Sequence, residues 1–276
     1  MDKNFLFFSV SIVIISMIFG ILNYFEIQTQ FYIWEILVDL KTLALVLLLA
    51  IFSKKQNWKM DILPLIKIWN TYKNFLFFFL PVIFAGVVVI VGIIFNKIEY
   101  RAVENTTTLI LTTLFDIPSI FVFSVTTFLV EEFVFRGFIF AQFQKNSSIW
   151  YSFVASSLIW TLYSFSDIPL HFIKGNGSQF ILIFFYLFSI GFFSSAVYLL
   201  TQSIWCSYSF RVGTITLIPL VLTLLSGEND SFFVTEQYLF YGDGILFSSI
   251  LLSLSIIFLV YFRGKNKLVS DQNKTA

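Results

Sequence analysis

Leu129-Val-Glu-Glu-Phe-Val-Phe-Arg-Gly137 sets two adjacent carboxylates and an arginine into an otherwise apolar run. Each charge near the middle of a membrane helix costs about 2.5–3.5 kcal/mol on insertion scales, so such residues mark functional sites. On an α-helix, Glu132 and Arg136 share one face and can form an ion pair. Glu131 projects about 100° away from Glu132 and has no partner within its own helix. The stretch therefore predicts one neutralised carboxylate and one available carboxylate.

The composition around this stretch is that of an integral membrane protein. Of the 276 residues, 58% are hydrophobic and 12% are charged, whereas soluble proteins have about 25% charged residues. The net charge of +1 supplies no basic field for phosphates, which argues against a nucleic-acid partner. With one cysteine, Cys206, and one histidine, His171, the chain predicts no internal disulfide, no zinc site and no cofactor.

Eight apolar segments approach the length of about 20 residues that a helix needs to span a membrane. They cover residues 5–24, 36–52, 75–95, 119–143, 149–165, 180–200, 204–225 and 245–262. Glu35, Asp39 and Lys41 lie near the outer end of the second segment, where we expect an interfacial location for the two acids. With the N-terminus inside, most loop lysines and arginines lie on the cytoplasmic side, as the positive-inside rule requires. The sequence predicts an all-α membrane protein of about eight transmembrane helices, with both termini cytoplasmic and a single domain over residues 1–276.

Glu131-Glu132-Phe-Val-Phe-Arg136 resembles the EExxxR signature of the CAAX protease and bacteriocin-processing family, also called the Abi family, of intramembrane glutamic endopeptidases. The family has a second pattern similar to S-x-L-x-F-x-x-x-H, and the matching stretch here is Ser156-Ser-Leu-Ile-Trp-Thr-Leu-Tyr-Ser164. A third pattern follows a Gly-containing helix, and its counterpart here begins at Ile190 and ends at Arg211. Order and spacing agree, so the resemblance implies a CAAX protease-like core over residues 117–225.

The resemblance implies a mechanism whose residues are only partly present in this chain. In the family, the first glutamate and the second-motif histidine activate a water, while a third-motif histidine and an asparagine stabilise the oxyanion. The corresponding positions here are Ser164, Arg211 and Ile215. Ser164 can hydrogen-bond a water without taking its proton, and Arg211 can donate to an oxyanion without shuttling protons. His171 lies seven residues after Ser164, in a predicted loop.

Two main hypotheses follow for a multi-pass protein of a bacterial cell membrane. In the first, a pseudoprotease, Glu131, Glu132, Arg136 and Arg211 form a buried ion network. Its cavity then binds lipids or membrane-associated peptides or proteins, in bacteriocin immunity or envelope regulation. In the second, a divergent endopeptidase cuts a membrane-bound or lipidated peptide, with Glu131 as base, Glu132–Arg136 as supporting pair and Arg211 at the oxyanion.

Structural observations distinguish these hypotheses. A contact between Glu131 and Arg211 favours the pseudoprotease, whereas an open cavity that places Glu131 near Ser164 and Arg211 favours the endopeptidase. A transporter that uses the buried charges as a polar pathway has less support, because the sequence has no inverted repeat. We interpret Trp160 and Trp205 as packing residues, and Cys206 as a buried, inert thiol.

Overall fold

The structure, a computed structural model, describes residues 3–29, 34–56, 71–100, 127–165, 177–225, 233–234 and 245–275. Side chains are described over narrower ranges: 3–22, 40–54, 72–98, 127–165, 180–214, 217 and 245–262. Within these ranges the chain forms eight helices and one short pair of strands.

The helices follow the apolar segments of the sequence. They are α1 (Lys3–Thr29), α2 (Trp34–Gln56), α3 (Thr71–Ile94), α4 (described over residues 127–146), α5 (Ile149–Ser164), α6 (Gly177–Thr201), α7 (Ile204–Leu225) and α8 (Ile245–Thr275). Each predicted segment coincides with one of these helices, although residues 119–126 of the fourth segment lie outside the described part. The predicted helical fold is confirmed, and α8 continues beyond the predicted eighth segment, from residue 262 to Thr275.

The strands are a small departure from the all-α prediction. β1 (Glu99–Tyr100) follows α3 and β2 (Phe233–Val234) follows α7, and they pair antiparallel with Glu99 opposite Val234. Both stretches lie between the predicted apolar segments, and strands of two residues carry no periodic pattern that would predict them. The two strands thus join the connection after α3 to the connection after α7, and these two helices pack against each other.

Four helices in the described part of the chain are long and apolar enough to cross a membrane. The qualifying stretches are Lys3–Leu22, Tyr72–Ile94, Phe180–Thr201 and Ile245–Phe262. Their outer surfaces expose large apolar side chains, such as Phe7 at 65% and Ile83 at 57%, which suits contact with lipid rather than water. The protein is therefore a membrane protein with several candidate spans, and the orientation of its termini stays a prediction.

α4 lies in the interior of the helix bundle. Every residue from Val134 to Phe140 is buried, and α4 packs against α5, α6 and α7. Phe5 and Phe8 of α1 place their rings 6.4 and 5.8 Å from that of Phe138. The charged stretch of α4 is thus surrounded by apolar side chains of other helices.

Two local features fix the helices that surround α4. Ser148 caps the N-terminus of α5, since its Oγ accepts a hydrogen bond from the Tyr151 amide at 3.3 Å and so satisfies one of the free N–H groups there. α7 approaches α3 so closely that a Cβ atom added at Gly213 would collide with the backbone carbonyl of Phe78. The cap stabilises the start of α5, and the close approach packs α7 directly against α3.

Candidate active site

The charged stretch lies where α4 changes its helical geometry. Residues 127–132 are α-helical, Phe133–Phe140 form a π-helix, and α-helix resumes over Ala141–Asn146. π-helical turns are rare and occur often at functional sites. Arg136 therefore lies in the π-helical turn, and Glu131 and Glu132 lie immediately before it.

Four charged side chains meet between α4 and α7. Arg211 Nη2 lies 2.5 Å from Glu131 Oε2, and Arg211 Nη1 lies 3.6 Å from Glu132 Oε1. Arg136 Nε lies 3.5 Å from Glu132 Oε2. Glu132 and Arg136 are fully buried, while Glu131 and Arg211 are each 5% exposed. Two acids and two arginines balance one another, as charges removed from water require.

This arrangement confirms two predictions and corrects one. Glu132 and Arg136 pair within α4, and the Glu131–Arg211 contact expected of an ion network is present. The expectation that Glu131 would remain an available carboxylate is wrong, because Arg211 of a different helix holds it in an ion pair. The helical spacing within α4 contained no information about that partner.

Ser207 is a site residue that the sequence analysis missed. Its hydroxyl donates a hydrogen bond to Glu132 Oε2 at 2.5 Å. Ser207 precedes Arg211 by four residues on α7, so both project from the same face. The four-residue spacing from Arg211 could have identified Ser207 from the sequence. Glu132 thus contacts Arg136, Arg211 and Ser207 and lies at the centre of the cluster.

Trp160 of α5 contacts both cations. Its ring lies 5.3 Å from Arg136 Cζ and 4.9 Å from Arg211 Cζ, and the ring of Phe128 lies 4.3 Å from Arg211 Cζ. Desolvated cation–π contacts contribute about 2 kcal/mol each. Trp160 is buried as predicted for a packing residue, and it also stabilises the two guanidinium groups.

Replacing Gly191 by alanine is expected to displace Trp160 from the two guanidinium groups. A Cβ atom at Gly191 would lie 2.7 Å from Trp160 Cε3, and overpacking of this kind costs about 1–3 kcal/mol. Thermal denaturation of Gly191→Ala in detergent measures the loss. A Trp160→Phe background provides the control, since the smaller ring should reduce the penalty. Equal penalties in both backgrounds would contradict a clash with the indole ring.

Ser164, which the sequence resemblance aligns with the second-motif histidine, lies at the end of α5. Its Oγ is buried and has no hydrogen-bond partner among the described residues. The preceding residue, Tyr163, places its side chain close to those of Glu131 and Thr42, although its hydroxyl forms no hydrogen bond of normal geometry with a described residue. The proximity of Ser164 to Glu131 therefore stays a prediction of the endopeptidase hypothesis alone.

Several buried polar atoms around the cluster have no hydrogen-bond partner in the described part of the chain. They are Arg136 Nε, Nη1 and Nη2, Arg211 Nη1, Trp160 Nε1, the hydroxyls of Ser157, Tyr163, Ser164 and Ser194, and Glu132 Oε1. Nearly all of these atoms are hydrogen-bond donors. A buried donor without a partner costs about 1–3 kcal/mol, so the arrangement is suited to binding a group that accepts hydrogen bonds.

The remaining candidate residues lie away from the cluster or outside the described part. Cys206 is buried, and its Sγ donates to Asn74 Oδ1 at 3.1 Å. His171 lies outside the described residues, and the side chain of Ile215 is not among those described. Among the described residues, no group of three His, Cys, Asp or Glu side chains is arranged to hold a metal ion.

Comparison with family models supports the resemblance found in the sequence. Residues 112–214 match the family described as type II CAAX prenyl endopeptidase Rce1-like. The matched segment contains all four charged residues of the cluster, together with Trp160 and Ser207, whereas α1, α2, α3 and α8 lie outside it. Comparison with curated proteins and with solved structures gives no match.

Proposed function

We propose that this chain, whose residues 112–214 match the Rce1-like CAAX endopeptidase family, is a multi-pass membrane pseudoprotease that binds a membrane-associated peptide or protein without hydrolysing it. The observation that carries this proposal is the 2.5 Å ion pair between Arg211 Nη2 and Glu131 Oε2. A general base must reach the water whose proton it takes. Arg211 holds that carboxylate, and an always-charged guanidinium cannot relay a proton. The pair favours binding over hydrolysis.

The unpaired donors of the site indicate which chemical group the ligand presents. The two acids and two arginines already balance, so a charged ligand group would lack a counter-charge in this buried position. A neutral acceptor, such as the backbone carbonyls of a peptide, matches the free N–H groups of Arg136 and Trp160. We infer that the bound segment contributes carbonyl oxygens and that its lipid or apolar part lies between the helices.

The cellular role follows from this binding function. Both termini lie on the cytoplasmic side in our proposal, in the membrane of a bacterial cell. A binder of this kind would sequester a bacteriocin-like peptide, as an immunity protein does, or would regulate another membrane protein.

Peptide labelling tests the proposal. The purified protein in lipid nanodiscs is incubated with prenylated C-terminal peptides that carry a photo-crosslinker, and the products are analysed by mass spectrometry. We expect crosslinked but intact peptide. Trp160→Phe should lower labelling several-fold, because loss of one hydrogen bond costs about 1 kcal/mol, while Trp205→Phe serves as a matched control. Peptide cleavage by the native chain that disappears in Glu131→Gln would overturn the proposal.

An active endopeptidase is the second candidate function. It is favoured by Arg211 Nη1, which has no hydrogen-bond partner among the described residues although Nη2 of the same guanidinium pairs with Glu131. A substrate carbonyl that draws the guanidinium toward itself would leave the carboxylate able to act on a water. In that case the native chain cleaves the peptides, and both Glu131→Gln and Glu131→Ala lose cleavage while accumulating normally in the membrane.

A further inference from the structure

We propose that Lys41 of α2 is a positioning residue for the site, which holds the end of α5 so that Tyr163 faces Glu131. Lys41 lies outside the segment that matches the endopeptidase family, in a helix to which the sequence analysis gave only a membrane-spanning role. The inference does not rest on the proposed function, because it concerns how the site is held together whether or not a peptide is cut.

Lys41 contacts both the backbone and the ring of Tyr163. Its Nζ donates a hydrogen bond to the Tyr163 carbonyl oxygen at 2.7 Å and lies 4.1 Å from the centre of the tyrosine ring. Ser16 of α1 donates its hydroxyl to the same carbonyl. A part-buried ammonium in an apolar helix is costly unless it has such partners, and this one has both a hydrogen-bond acceptor and a π-face.

The contacted carbonyl belongs to the last turn of α5, which ends at Ser164. The last four carbonyl groups of a helix have no N–H donor within that helix. They carry the partial negative charge of its C-terminal end. A lysine there satisfies one carbonyl and opposes that charge. Together α1 and α2 therefore fix the orientation of the end of α5.

Tyr163 transmits this fixed position to the charged cluster. Its side chain is 1% exposed and interacts with Glu131 and with Thr42, the neighbour of Lys41. Its ring also packs 5.1 Å from that of Phe135 in the π-helical turn of α4. Two adjacent residues of α2 thus contact one tyrosine, and that tyrosine contacts the acid that Arg211 binds.

A double-mutant cycle distinguishes positioning from simple helix capping. The variants are Lys41→Met, Glu131→Gln and their combination, each also made in a Tyr163→Phe background, and the melting temperature is measured in detergent. If Lys41 only caps the helix, the melting-temperature shifts of Lys41→Met and Glu131→Gln are additive. Positioning through Tyr163 makes the combined shift differ from the sum by about 2–4 °C, which corresponds to roughly 1 kcal/mol of coupling. We expect this coupling to disappear with Tyr163→Phe, and additivity in the native background would overturn the proposal.

Further variants control for loss of the cation and for poor folding. Lys41→Arg keeps the charge and should retain most of the coupling. Lys54→Met removes an exposed lysine from the same helix and should be additive with Glu131→Gln. If Lys41→Met fails to fold, Thr42→Val replaces it in the double-mutant cycle, because Thr42 contacts the same tyrosine. Additivity of Thr42→Val with Glu131→Gln would then overturn the proposal.

Discussion

Replacement of Arg211 by methionine is expected to lower the free energy of unfolding by about 3–5 kcal/mol, because it leaves a buried carboxylate without its counter-charge. Arg211 Nη2 lies 2.5 Å from Glu131 Oε2, and Arg211 Nη1 lies 3.6 Å from Glu132 Oε1. After the substitution, two buried acids share the single cation of Arg136. Methionine matches the aliphatic part of the arginine side chain but ends before the guanidinium, so the loss reports the missing charge together with its contacts to the rings of Trp160 and Phe128.

Thermal denaturation in detergent measures this effect, with three companion variants. Glu131→Gln/Arg211→Met removes both members of the pair and should recover more than half of the stability that Arg211→Met loses, because neither charge is then left alone. Lys97→Met removes an exposed cation and should change stability by less than about 0.5 kcal/mol. An Arg211→Met variant as stable as Lys97→Met would show that the ion pair does not form. A double variant no more stable than Arg211→Met would show that Glu131 is not its partner.

The sequence was sufficient to predict the helices and one ion pair, because both depend on local patterns. Apolar runs of membrane-spanning length mark each helix, and the predicted seventh segment has the bounds of α7, Ile204–Leu225. The Glu132–Arg136 pair follows from a spacing of four residues on one helix. Neither prediction required knowledge of how the helices pack.

The rest of the site depends on packing between distant parts of the chain. The Lys41–Tyr163 hydrogen bond joins residues 122 positions apart. The Glu131–Arg211 pair joins residues 80 positions apart, and the sequence offered it only as one of two alternatives. The π-helical turn at Phe133–Phe140 replaces the regular hydrogen-bonding pattern where the residues from Val134 onward are buried, and its one glycine, Gly137, does not by itself predict a π-helix. Such features follow from tertiary contacts, which override local preference.

Arginine at position 211 changes what the neighbouring acid can do. A neutral histidine beside Glu131 would accept or donate protons near neutral pH, whereas the guanidinium can only donate hydrogen bonds and hold a negative charge. In the proposed pseudoprotease, the contact that stabilises the bundle also removes the proton-accepting role from the carboxylate. On that proposal, stability and loss of general-base chemistry have a common cause in this pair, so the Arg211→Met and labelling experiments test connected consequences of one contact.

Substitution of Gly213 by alanine is expected to destabilise the protein by about 3 kcal/mol or more, at the upper end of overpacking penalties. The added Cβ would meet the backbone carbonyl of Phe78, which cannot rotate away as a side chain can, so α3 and α7 must separate. Because Gly213 lies two residues after Arg211, this separation should also weaken the ion pair with Glu131.

Gly86→Ala in α3 is the matched control, since a Cβ there meets nothing within 4 Å and alanine has a helix propensity about 1 kcal/mol better than glycine. The melting temperature should therefore fall for Gly213→Ala and stay level or rise for Gly86→Ala. Equal stability of the two variants would show that α7 does not approach α3 at Phe78, and the placement of Arg211 beside Glu131 would lose its structural basis.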